Sequence, residues 1–152
     1  MESLVSLSIG IGLVISLAFS EVLGLAAGGM VVPGYIAIYL DRPLIIIITL
    51  LVSYLTYLIV NAMSAIMIIY GRRKTVLMIL VGYAIGALVR SFGHIELPLA
   101  AVDLMIIGYI IPGLIAIWID RQGLLESVSA LVIASVIVRI VLILITGGGL
   151  KL

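Results

Sequence analysis

Charged residues punctuate this chain sparsely, and the intervals between them set its architecture. Uncharged, mostly apolar runs occupy positions 3–20 (18 residues), 22–40 (19 residues) and 44–71 (28 residues). About 20 apolar residues at 1.5 Å rise cross the hydrocarbon core of a bilayer, so these are bilayer lengths. A chain in lipid must satisfy its backbone hydrogen bonds within each segment, which selects helices. The pattern predicts membrane helices over about 4–23, 44–70, 76–89 and 124–145, with interrupted segments over 27–40 and 104–119. The expected fold class is an all-α polytopic membrane protein, with 1–152 forming a single transmembrane domain.

An internal duplication organises these elements. Gly29, Pro33, Gly34, Ile36, Ala37, Ile38, Asp41 and Arg42 recur as Gly108, Pro112, Gly113, Ile115, Ala116, Ile117, Asp120 and Arg121, eight of fourteen positions at a constant offset of 79. Apolar matches arise by chance in so apolar a chain, but paired Pro-Gly and Asp-Arg at fixed spacing do not. Repeat 1 covers about 4–70 and repeat 2 about 76–146, each reading helix, Pro-Gly-broken segment, Asp-Arg pair, helix. The halves meet at a loop, Gly71-Arg72-Arg73-Lys74, whose three adjacent cations place it in the cytoplasm by the positive-inside rule. If the broken segments span, each half has three crossings and the halves are inverted; if they re-enter, each half has two and the halves are parallel. The length of the uncharged runs around Pro33 and Pro112 favours crossing.

Composition narrows the function classes. With 65% of residues hydrophobic, 10% charged and a mean hydropathy of +1.50, the chain is not a soluble globular domain, where about a quarter of residues carry charge. A net charge of +1 gives no field for nucleic acid. There is no cysteine, hence no disulfide and no thiolate chemistry, and a single histidine, His94, excludes a multi-histidine metal centre. His94 lies in a polar stretch and reads as a solvated loop residue. No Lys or Arg precedes the first apolar run, so it reads as an uncleaved first span of a multi-pass plasma-membrane protein rather than a signal peptide.

Candidate chemistry concentrates at the interruptions and at charges within apolar stretches. Pro33 and Pro112 remove an amide donor and suit the start of a new half-helix; Gly34 and Gly113 loosen the backbone after them. A half-helix N-terminus attracts carboxylates, and paired interrupted helices point to a substrate site near the midplane; the alternative is a pair of kinks that only aid packing. An ionisable residue at a helix centre costs about 2.5–3.5 kcal/mol on insertion, so each calls for a partner or a pathway. Arg139 is the deepest, with Glu21 and Asp103 as candidate counter-ions. Arg90, Asp41-Arg42 and Asp120-Arg121 lie nearer segment ends, where snorkelling or local pairing accounts for them equally well. Gly24/Gly28 and Gly82/Gly86 are small-xxx-small patterns that read as helix packing, and the Gly82/Gly86 face is the candidate contact of a homo-oligomer. No Ser-His-Asp set, metal-ligand cluster or phosphate-binding glycine loop appears.

At Phe19-Ser20-Glu21-Val22-Leu23-Gly24, Val31-Val32-Pro33-Gly34-Tyr35, Tyr70-Gly71-Arg72-Arg73-Lys74, and Gly108 to Ala116 followed by Arg121-Gln122-Gly123-Leu124, the chain resembles the membrane subunit of poly-γ-glutamate synthase, the PgsC/CapC family. The likeness runs over nearly the whole length in the same order and departs at the ends and in 91–103, which leaves His94 and Glu96 without an inherited role. The resemblance implies a component of a synthase that makes and exports a polymer of glutamate joined through the side-chain carboxylate. It implies as partners a Mur-ligase-like ATP-dependent amide ligase, which would carry ATP and Mg, and an extracytoplasmic export subunit, with no cofactor in this chain. Pro33, Gly34, Pro112, Gly113, Arg42, Arg121 and Arg139 are then candidates for binding the anionic polymer, and Arg72, Arg73 and Lys74 for docking the ligase or its product. Two rival classes stand beside this one: a small transporter or channel for an anionic solute, and an integral acyltransferase, for which His94 with Glu96 is a thin basis.

Overall fold

The computed structural model describes residues 2–66, 71–93 and 110–147. They form α1 (Glu2–Leu23), α2 (Val32–Ile38), α3 (Pro43–Ile66), α4 (Arg72–Gly93), α5 (Ile110–Gln122) and α6 (Leu124–Thr146), with a 3-10 turn, Tyr39–Asp41, after α2. No strand occurs among the described residues, and the protein is all-helical. Among the described residues three stretches, Val5–Leu23, Pro43–Ile66 and Leu124–Thr146, are long and apolar enough to cross a membrane. His94, Glu96 and Asp103 lie outside the described residues.

The chain divides into two compact units, Met1–Pro43 with Gln122–Leu152, and Leu44–Arg121. The first holds α1, α2 and α6; the second holds α3, α4 and α5. Each unit therefore takes its third helix from the other half of the sequence.

In the first unit α1 packs on α2 and α6, and α2 packs on α6. The Ser8 hydroxyl donates to the Gly34 carbonyl (2.7 Å), and Ser16 donates to the Gly29 carbonyl (3.4 Å), so α1 and the broken segment run antiparallel. Gly12 meets Gly34 backbone to backbone: a methyl on Gly12 would lie 2.8 Å from the Gly34 Cα. Ala37, Val138 and Leu142 form the core behind this crossing, flanked by Ile11, Ile15 and Leu40. From Gly34, level with Ser8, helical rise carries the chain to Asp41 at the level of the first residues of α1.

The interruption lies N-terminal of Pro33 rather than at the Pro-Gly pair. Positions 24–31 are irregular, and Gly24 (φ 65°), Gly28 (φ 71°) and Gly29 (φ 116°) take left-handed conformations that a side chain would oppose. Gly24 and Gly28 are thus turn residues, not a helix-packing pair. α2 opens at Val32, and Pro33 falls in its first turn, where a missing amide hydrogen costs nothing.

The second unit repeats the crossing with different residues. Gly113 on α5 sits so close to α4 that a methyl on it would lie 2.8 Å from the Ile79 Cα, and one on Gly82 would lie 2.8 Å from the Gly113 nitrogen. Val60 of α3, Met78 of α4, and Ala116 and Ile117 of α5 close the core. Gly82 is therefore used inside the unit, which removes it as the expected oligomer contact. Four buried hydroxyls are satisfied locally: Thr49, Ser53 and Thr56 on α3, and Ser135 on α6 of the first unit, each donate to the carbonyl four residues earlier. α4 begins at Arg72, so Arg72, Arg73 and Lys74 form its first turn instead of a loop, after a left-handed Gly71 (φ 63°).

Candidate functional site

Each unit neutralises the aspartate that ends its broken segment. In the first, α6 runs parallel to the broken segment and carries Arg139 to the C-terminal end of α2. There Arg139 donates through Nη1 to the carbonyls of Ala37 (3.2 Å) and Ile38 (3.5 Å), and through Nη2 to Asp41 Oδ2 (2.5 Å). The last carbonyls of a helix lack intrahelical donors, and a cation is favourable there, so one guanidinium answers both the helix end and the carboxylate. The counter-ion is Asp41, not Glu21: Glu21 is exposed in the last turn of α1, at the opposite end of that antiparallel helix. Asp103 lies outside the described residues.

In the second unit Lys74 Nζ pairs with Asp120 Oδ1 at 2.6 Å, joining the first turn of α4 to the last turn of α5. Lys74 is therefore engaged internally, whereas Arg72 and Arg73 beside it are exposed. Arg121, exposed next to Asp120, lies with its guanidinium 5.4 Å from the centre of the Trp118 ring. The Lys74–Asp120 pair thus gathers Arg72, Arg73 and Arg121 at one end of this unit. Arg42 is exposed after the 3-10 turn of the first unit.

Pro33, Gly34, Pro112 and Gly113 are buried, and the close approach that their glycines permit is made by α1 and α4. A carboxylate has no open face at these glycines, so the packing alternative accounts for what the structure shows there. Gln122 has a role that sequence reasoning missed. Its amide Nε2 donates to the Ala26 carbonyl (2.5 Å) and its Oε1 accepts from the Ala26 amide (3.1 Å), pinning the irregular stretch that precedes α2. The available signal was a lone amide side chain between an Asp-Arg pair and a span.

Residues 11–128 match the family model described as Capsule biosynthesis CapC. The PGA biosynthesis protein CapC of Bacillus subtilis (strain 168) is 41% identical over 115 residues, 75% of this chain and 76% of that protein. The capsule biosynthesis protein CapC of Bacillus anthracis is 36% identical over 126 residues, 82% of this chain and 84% of that protein. No solved structure matches the chain.

Proposed function

The chain belongs to the CapC family of capsule biosynthesis proteins, and from that premise we propose that it is the integral-membrane subunit of a poly-γ-glutamate synthase. It holds the ATP-dependent amide ligase at the cytoplasmic face and takes part in passing the anionic polymer across the membrane. The observation that carries this reading is the 41% identity, over three quarters of both chains, to a protein named for PGA biosynthesis. Physical chemistry supports it: three of the described helices are long and apolar enough to span, and the arginines exposed at one end of the second unit suit either an acidic partner surface or a polymer with one carboxylate per residue.

Arg72, Arg73 and Arg121 are the docking residues of this proposal, and Lys74 with Asp120 holds them together. The test is purification of the tagged chain from membranes that also contain the ligase. The ligase should elute with it, and the triple variant Arg72→Gln, Arg73→Gln, Arg121→Gln should lose most of the ligase while still inserting. A chain that conducts an anionic solute in liposomes with no ligase present, and retains no ligase on purification, overturns the proposal in favour of a transporter.

A further inference from the structure

Arg139 is held by two kinds of partner that differ in what they leave open. The carbonyls of Ala37 and Ile38 fix Nη1 and belong to the helix end itself, so they orient the guanidinium whether or not Asp41 is present. Nη2 is covered by the Asp41 carboxylate alone among the described contacts. The Arg139 side chain is 13% exposed and that of Asp41 is 56% exposed. A mostly covered guanidinium anchored on backbone, with its outward donor closed by one well-exposed carboxylate, has the form of a carboxylate receptor filled by the chain's own carboxylate.

We infer that Asp41 is an internal stand-in for a ligand carboxylate, and that Arg139 exchanges it for a carboxylate of the polymer. The inference rests on the reading that this protein handles a polycarboxylate. Exchange replaces one anion by another on Nη2, so the mostly covered guanidinium is never left unpaired, and the released Asp41 is already largely in contact with the surroundings. No bond is made or broken.

The second unit supplies a contrast. There the cation holding Asp120 is Lys74 of α4, in the first turn of its helix, rather than an arginine reaching the helix end from a third helix. Lys74 and Asp120 are covered to a similar degree, 20% and 24% exposed, and an ammonium offers a point charge without the fork that fits carboxylates. The exchange site therefore belongs to the first unit alone.

The test uses the full chain in detergent and a fluorescent γ-linked triglutamate as probe. Where an internal competitor fills about nine tenths of a site, removing it raises apparent affinity about tenfold, so Asp41→Asn should bind the probe about tenfold more tightly than the parent. Arg139→Gln alone should bind the probe more weakly than the parent, and combined with Asp41→Asn it should abolish the gain. If Arg139→Gln fails to fold, Arg139→Lys serves, and with the fork lost the double variant Arg139→Lys, Asp41→Asn should bind more weakly than Asp41→Asn alone. Unchanged or weaker probe binding by Asp41→Asn, or parental binding by Arg139→Gln, overturns the exchange and leaves the pair as a helix clamp. Polymer output in cells separates the two levels: a chain that can be deleted without loss of polymer overturns the synthase reading, whereas a required chain with unaltered Asp41→Asn binding overturns only the exchange.

Discussion

Lys74 and Arg72 share one helical turn, carry the same charge and have different surroundings. Lys74 meets Asp120 at 2.6 Å with about a fifth of each side chain exposed, while Arg72 is exposed. An exposed pair contributes up to about 1 kcal/mol, and breaking a fully buried one costs about 3–5 kcal/mol, so this largely but not fully covered pair lies between. Lys74→Gln and Asp120→Asn should each destabilise the purified protein by about 1–2 kcal/mol, and the double variant by less than the sum, because the second change removes a group already left alone. Arg72→Gln should stay within about 0.5 kcal/mol of the parent while lowering ligase recovery. Thermal melts in detergent, paired with the co-purification measurement, check both. Equal stability losses at Arg72 and Lys74 would contradict the division of roles.

At the scale of elements, the same glycine-on-helix crossing appears twice, Gly12 with Gly34 and Gly82 with Gly113. A methyl on Gly34 would lie 2.7 Å from the Ser8 carbonyl oxygen, a backbone atom that cannot swing aside. Gly34→Ala and Gly113→Ala should each cost at least about 1–3 kcal/mol through helix displacement. Gly10, on α1 with nothing within 4 Å, is the control: Gly10→Ala should be neutral or stabilise by up to about 1 kcal/mol through helix propensity alone. Melting temperatures that fall equally at Gly10 and Gly34 would refute the close crossing. These crossings also mark where sequence reasoning stopped. The lengths of α1, α3 and α6 were legible because solvation in lipid dictates run length, whereas α4 was read short, 76–89 against Arg72–Gly93, because its first turn is cationic; the Pro-Gly pairs were legible because they recur. What a glycine faces was not, since an absent side chain points nowhere until a neighbour is placed. Arg139 illustrates the same limit: Glu21, Asp41 and Asp103 are all carboxylates in one chain, and only the parallel register of α6 against the broken segment selects Asp41.

At the scale of the whole molecule, the first unit contains an internal ruler for a crossing broken segment. α1 has 22 residues, about 33 Å at helical rise, which matches a bilayer. Ser8 faces Gly34 and Ser16 faces Gly29, so the segment descends alongside α1. Its remaining length suffices to reach the far end: a helical stretch from Val32 to Asp41 gives about 14 Å. The eight irregular residues 24–31 have the reach to cover the rest, since the chain spans up to about 3.3 Å per residue. Gln122 holds Ala26 at one end of this path and Arg139 holds Asp41 at the other, seventeen positions apart on α6 and its lead-in (139 − 122). Irregular backbone within a membrane is tolerated only where protein or water satisfies it, and the Gln122 amide together with the Ser16 hydroxyl meets part of that need. A crossing segment places Glu21 and Arg42 on opposite faces of the membrane, whereas a re-entrant one returns Arg42 to the face of Glu21. The chain has no cysteine, so single variants Glu21→Cys and Arg42→Cys give unambiguous labels. A membrane-impermeant maleimide applied to intact cells should modify Arg42→Cys and leave Glu21→Cys unlabelled until the membrane is opened, given a cytoplasmic Arg72-Arg73. Labelling of both from the same side would make the segment re-entrant and remove the inverted arrangement of the two halves.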